Sequence, residues 1–415
     1  MSYAFLPMFY RSSVRQDYES ILFCGRSIYI MIALTNCKAV TISDGILDNA
    51  TILIEDGILK AVEQNAEIPA DAEVINLKGM WVTPGFIDAH SHLAMGEPGV
   101  KGGGDDDNEA TDPVTAHVRM IDSLDPWSLG VTEARKGGFT VMCSLPGSAN
   151  VIGGTGIAVK LKDANSVLDQ VIPGTEVMKM ALGENPKGYY GGQKRMPMTR
   201  MGTGAVLRET LFNAKQYADE LAAAEAEGKP FKHNFKLDPL VPVVRGEMRC
   251  RIHCHRADDI LTAVRISEEF GLDFVVEHCT EGFKVADILA KKGVKCVVGP
   301  LRMIPGKMEV WNCTIENPAM MEQAGCEIAL SADAQSATRW LPEEVGLAMA
   351  YGLSEEMAFK SLTINPAKIL GLDHRMGTLE AGKDAALAIF DGHPFLNFTR
   401  CKATMIDGKF EFCEL

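Results

Sequence analysis

A chain of 415 residues is long enough for one large domain and a smaller companion. With 47% hydrophobic and 23% charged residues the composition is that of an ordinary globular protein, and a formal net charge of −14 argues against nucleic acid or an anionic membrane as a partner. Eleven scattered cysteines, an odd number with no C-x-x-C pair, read as reduced thiols and point to a cytoplasmic protein.

The first residues differ from the rest. "ILFCGRSIYIMIAL" (21–34) is apolar but broken by Arg26, and falls short of the roughly 20 apolar residues of a membrane span. No small-residue cleavage site follows, which argues against a secretory signal. Residues 1–31 are therefore expected to be a dispensable N-terminal extension, such as an upstream start codon would add.

Residues 32–84 hold short β-type runs, with Asp56-Gly57 as a hairpin turn. The end of the chain repeats this style in "AALAIFDG" and "KATMIDGKFEF". The pattern predicts a small β-sandwich assembled from both chain ends, residues 32–84 plus 375–415. Between them, residues 85–374 alternate continuous apolar runs with amphipathic stretches, as parallel β/α units do. The expected fold is α/β, a (β/α)₈ TIM barrel; a doubly wound sheet is the alternative, but no G-x-G-x-x-G follows any strand. The glycine- and acid-rich "GVKGGGDDDNEATD" (99–112) predicts a mobile loop after the first barrel strand.

Four of the apolar runs end in side chains that bind metals. "GFIDAHSH" ends in His90 and His92, "RCRIHCH" in His253 and His255, "LDFVVEH" in His278, and "EIALSAD" in Asp333. The chain has nine histidines, and five of them fall at these ends. In a parallel barrel the C-terminal strand ends carry the chemistry, so the coincidence predicts a metal site. Strict alternation would put Asp88, His90 and His92 on one face. His255, nearer the strand end than His253, is the expected ligand, with His253 packing behind it. Imidazole plus carboxylate suits Zn²⁺, and also Mn²⁺, Fe²⁺ or Co²⁺. Asp333 is expected to touch both the ion and its water, taking a proton and later returning it to the leaving group.

A further ligand comes from "VMKMALGEN". Lys179 lies inside this apolar run, where a bare ammonium is costly; it could snorkel, pair with a carboxylate, or carry a carbamate that bridges two ions. Glu184, already anionic, is slightly preferred over it. His117, His233, His374 and His393 read as surface or packing residues, and "PGSANVIGGTG" (146–156) as a tight turn more than an anion cradle. Arg200 and Arg245 could bind a substrate carboxylate, but surface salt bridges are the preferred explanation for each.

Together "GFIDAHSH", "IHCHRADDI", "VVEHCTEG", "SAD" and "NPAKILGLDHRMGTLEAGKDAALAIFDG" resemble the amidohydrolase superfamily over about residues 32–415, and within it the imidazolonepropionase-like subgroup. The resemblance implies a metal-dependent hydrolase with one or two divalent ions. His90 and His92 match the first-strand ligands, His255 the fifth-strand ligand, His278 the sixth-strand ligand and Asp333 the last-strand acid/base. Lys179 falls where relatives place a carboxylated lysine, and Glu184 resembles the glutamate ligand of amino-sugar deacetylases. One departure is "AQSATRW" after Asp333, where many relatives have His-Pro. The expected reaction is hydrolysis of a C–N bond (amide, cyclic amide or amidine) in a small molecule. Ring deamination and a non-catalytic scaffold are the alternatives. Loops 95–130 and 185–248 are expected to line the mouth; substrate, ion count and oligomeric state, a homo-oligomer included, stay open.

Overall fold

The computed structural model describes residues 31–96, 106–334 and 337–415. The expectation for residues 1–30 and the first part of the 99–112 loop lie outside the described residues.

Among the described residues, five strands come first: β1 (Ile32–Val40), β2 (Ile46–Glu55), β3 (Ile58–Gln64), β4 (Glu73–Asn76) and β5 (Trp81–Pro84). Eight more form the middle: β6 (Phe86–Ser91), β7 (Phe139–Ser144), β8 (Ile152–Lys160), β9 (Val177–Ala181), β10 (Cys250–Cys254), β11 (Phe274–His278), β12 (Lys295–Val298) and β13 (Ile328–Leu330). β14 (Leu387–Phe390), β15 (Cys401–Ile406) and β16 (Lys409–Cys413) close the chain.

The middle strands hydrogen-bond in the order β6 to β13, a nearly closed barrel. Across the remaining seam Ser331 donates to the His90 carbonyl at 2.5 Å. β9 to β13 are parallel and almost wholly buried, as expected of strands covered on both faces. The helix Ala257–Phe270 after β10 buries Ile260, Ala263, Val264 and Ser267, the stripe its sequence spacing dictates. One feature departs from repeated β/α units: β8 runs antiparallel to both β7 and β9. The link from Ser144 to Ile152 is too short for a parallel crossover, which takes a dozen or more residues.

Strands from both chain ends join in a second sheet, ordered β16-β15-β14-β5-β1-β2-β3. β1 pairs with β4 along its first half and with β5 along its second, so the sheet branches around a core of Leu34, Ile52, Leu59, Val82, Leu387 and Met405. Its two Asp-Gly hairpin turns meet. Asp56 and Gly57 have φ of 55° and 75°, Asp407 and Gly408 of 52° and 77°, as a two-residue type I′ turn requires. A Cβ on Gly57 would lie 2.9 Å from the Asp407 carbonyl oxygen, so only glycine fits where the turns touch. The barrel is tied to this sheet by Lys160 on β8, whose ammonium contacts Asp384 at 3.0 Å and also Asp407.

Among the described residues no helix is long and apolar enough to cross a membrane. All ten described cysteines are unpaired.

Candidate metal centre

The predicted strand ends converge. His90, His92 and Asp333 bring one ligand atom each to within 4.8 Å of one another, and so do His253, His255 and His278. The Oδ1 of Asp333 lies 3.3 Å from Nε2 of His90 and 3.2 Å from Nε2 of His92. Neighbouring ligands of a tetrahedral ion at 2.0–2.1 Å are roughly 3.3–3.4 Å apart, so these atoms already stand at ligand spacing.

Hydrogen bonds fix which ring nitrogen faces inward. His92 donates from Nδ1 to the Leu145 carbonyl at 2.8 Å, and His278 from Nδ1 to the Gly299 carbonyl at 2.9 Å. His90 donates from Nδ1 to Glu277 Oε2 at 2.7 Å. Each of these rings is left with its Nε2 lone pair, the atom a cation takes. His255 Nδ1 sits 2.8 Å from Thr280 Oγ1. Neither ring nitrogen of the buried His253 has a hydrogen-bond partner among the described residues, although such groups are nearly always satisfied. The orphaned His253 and the inward lone pairs fit a divalent cation.

The backbone is strained where this chemistry gathers. His278 has φ of 68° and Asp333 of 46°, in the left-handed region that costs side-chain-bearing residues about 1–3 kcal/mol. Ser331 restrains Asp333 by accepting its backbone N–H at 3.1 Å, the same hydroxyl that holds the His90 carbonyl.

Burial disfavours charge on three of the imidazoles, while two of the carboxylates stay ionised. Burial pushes His278 down to about 3, and His253 and His255 well below the ordinary histidine range. Burial opposes ionisation of Asp333, yet the His278, His90 and His92 rings around it outweigh that and hold it well below the usual carboxylate range. Burial also opposes ionisation of Glu277; the Arg251 guanidinium and His90 reverse this and bring it to about 2.

Lys179 is buried with its ammonium 3.4 Å from His90 Nε2, and burial lowers it to about 8. Glu184 joins neither ligand cluster: its Oε2 accepts the Glu309 backbone N–H at 3.3 Å. His253 is not behind His255 but beside it, both Nε2 atoms lying 3.7 Å from Glu309 Oε1. Asp88 does not follow the alternation expected of it. A register shift between Asp88 and Ser91 breaks the pattern, and Asp88 instead accepts from Thr338 Oγ1 at 3.1 Å and from the His90 backbone N–H at 3.2 Å. Arg200 pairs with Asp259 at 2.9 Å.

Sequence reasoning missed Arg251, Glu277, Lys307 and Glu309. The first two carried a signal, charged residues inside otherwise apolar strands. Lys307 and Glu309 lie on an irregular stretch between β12 and β13 that carried none.

Comparison with known proteins agrees with this geometry. The Amidohydrolase family profile matches residues 252–412. The amidohydrolase tasK of Hapsidospora irregularis is 28% identical over 391 residues, 87% of this chain, which spans only 40% of that protein's length. The imidazolonepropionase of Maricaulis maris is 26% identical over 380 residues, 84% of this chain and 88% of that one. The crystal structure of an amidohydrolase from Thermotoga maritima MSB8 superposes with a TM-score of 0.88 at 40% identity, covering 92% of this chain and all (100%) of the other. With the barrel, the second sheet and the convergent strand ends in place, a relative this similar over its whole length makes the chain a member of the amidohydrolase family.

Proposed function

We propose that the chain is a metal-dependent hydrolase that cleaves a C–N bond of a small molecule, an amide, cyclic amide or amidine. The observation that carries this reading is Asp333 Oδ1 lying between the Nε2 atoms of His90 and His92. These three would hold one ion, and His253, His255 and His278 a second. A divalent cation there supplies Lewis acidity and brings the pKa of a water toward neutrality. Zn²⁺ is the ion this donor set suits best.

Asp333 is the acid/base. Its carboxyl lies well below the usual carboxylate range, so at neutral pH it is free to accept a proton from the attacking water. It then delivers that proton to the departing nitrogen. Its side chain is 22% exposed and that of His92 15%, so the substrate enters on their side of the cluster. The other imidazoles form the dry floor. Lys179, nearer the cluster than Glu184, is the better placed bridging group; at about 8 its amine has a neutral fraction able to take up carbon dioxide as a carbamate. The similarity to an imidazolonepropionase supports a cyclic amide or amidine as the substrate class.

The test is metal content per chain, followed by a hydrolysis screen of amides, cyclic amides and amidines with the native chain and Asp333→Asn. Bound metal, and turnover that falls about 10²–10⁴-fold in the folded variant, are expected. A chain that holds no metal even after resupply sinks the reading.

A further inference from the structure

The stretch between β12 and β13 delivers a carboxylate deep into the histidine cluster. Glu309 is 1% exposed although it sits on a three-residue turn, Met308–Val310, with no strand or long helix behind it. Connecting segments normally run over the surface, and a buried charge needs a reason and a partner. Here the chain is built to hold it. Glu309 Oε2 accepts the Glu184 backbone N–H at 2.7 Å, and the Glu309 N–H is taken up by Glu184 Oε2 at 3.3 Å. Gly183, at φ 85°, clears the approach, since a Cβ there would lie 2.7 Å from Glu309 Oε2.

What remains is Oε1, and it is aimed at the imidazoles. It lies 3.7 Å from Nε2 of both His253 and His255. That repeats the arrangement at Asp333, where one carboxylate oxygen faces two Nε2 atoms. His253, the ring with no hydrogen-bond partner, is a member of this second set. The positive charge on Oε1 is Lys307, whose ammonium lies 2.6 Å away. Its side chain is 28% exposed, and Asn185 Oδ1 offers it a second acceptor at 3.0 Å.

We propose that Glu309 is the carboxylate ligand of a second divalent-cation position formed with His253, His255 and His278, and that Lys307 is the charge the cation displaces. The inference rests on the metal-dependent reading above and goes beyond it in assigning the ligand to the stretch after β12, not to Glu184. On cation arrival the Lys307 ammonium leaves Oε1 and keeps its contact with Asn185. No covalent bond changes.

The experiment titrates metal-free protein with Zn²⁺, and with Co²⁺ read by its visible absorption, against a competing chelator. The native chain is expected to take two ions. Glu309→Gln should keep the first affinity and weaken the second at least tenfold, while Lys307→Met should tighten the second. Two ions bound by Glu309→Gln with native affinities overturn the inference, as does a Lys307→Met chain with an unchanged or weaker second ion. One ion in the native chain overturns it too, yet leaves the hydrolase reading standing; no ion at all fells that reading itself. Melting of the metal-free variants checks folding, and if Glu309→Gln does not fold, Lys307→Met decides.

Discussion

Glu277 Oε2 lies 2.7 Å from His90 Nδ1, and both side chains are shut off from water. The other Glu277 oxygen pairs with Arg251, itself fully buried and donating to the Ala89 carbonyl at 2.7 Å. The result is a chain of charge inside the barrel, from guanidinium to carboxylate to imidazole. It fixes the His90 tautomer and enriches Nε2, as carboxylates behind metal-binding histidines do.

Glu277→Gln should therefore weaken the ion at the His90 position about 10–100-fold, read by chelator competition. Glu277→Leu leaves Arg251 unpaired and should cost about 3–5 kcal/mol in metal-free unfolding, much of it recovered by adding Arg251→Met. Unchanged metal affinity in a folded Glu277→Gln chain would mean that the carboxylate only balances Arg251.

The fold and much of the side-chain convergence were legible in the sequence because both rest on local pattern. Continuous apolar runs mark buried parallel strands, and His90, His92, His278 and Asp333 stand where such runs end. What was not legible depends on register and on irregular chain. Asp88 was assigned to the histidine face by a strict alternation that a register shift breaks. The antiparallel β8 looks like any other apolar run until its neighbours are known. His253 and His255 differ little in sequence, and it takes the folded chain to set both Nε2 atoms the same distance from Glu309 Oε1, brought by a segment farther along.

Stability of the metal-free chain should fall with acid. The folded imidazoles resist protonation, His278 until about 3 and His253 and His255 until well below the ordinary 6.5. In the unfolded chain they protonate near that ordinary value. Below 6.5 the unfolded state therefore binds more protons, and stability drops as pH falls from there toward 3. Glu277, depressed from 4.5 to about 2, adds a loss of the same sign in the lower part of that window, while Asp88, raised by burial to about 7, offsets part of the loss. Thermal melting of metal-free protein from neutral to acidic pH measures this, and a midpoint that holds steady across the window contradicts it.

Gly299 stands near the cluster where no side chain fits. Its φ is 139°, and a Cβ on it would stand 2.0 Å from the backbone oxygen of Ser331. No rotamer change relieves a clash with backbone, so β12 and the stretch after β13 would have to part. Those two segments carry the site: the Gly299 carbonyl orients His278, and the Ser331 hydroxyl restrains both His90 and Asp333. Gly299→Ala is expected to lose more than about 2 kcal/mol, from strain and overpacking together, and to weaken metal binding in whatever folds. Gly293→Ala is the matched comparison. It too replaces a left-handed glycine, at φ 64°, but nothing lies within 4 Å of its Cβ. It should cost about 1 kcal/mol and leave metal affinity at the native value. Equal losses in the two variants, measured by denaturant unfolding and chelator competition, would show that backbone strain alone sets the cost and that the Ser331 contact is not what holds the cluster in shape.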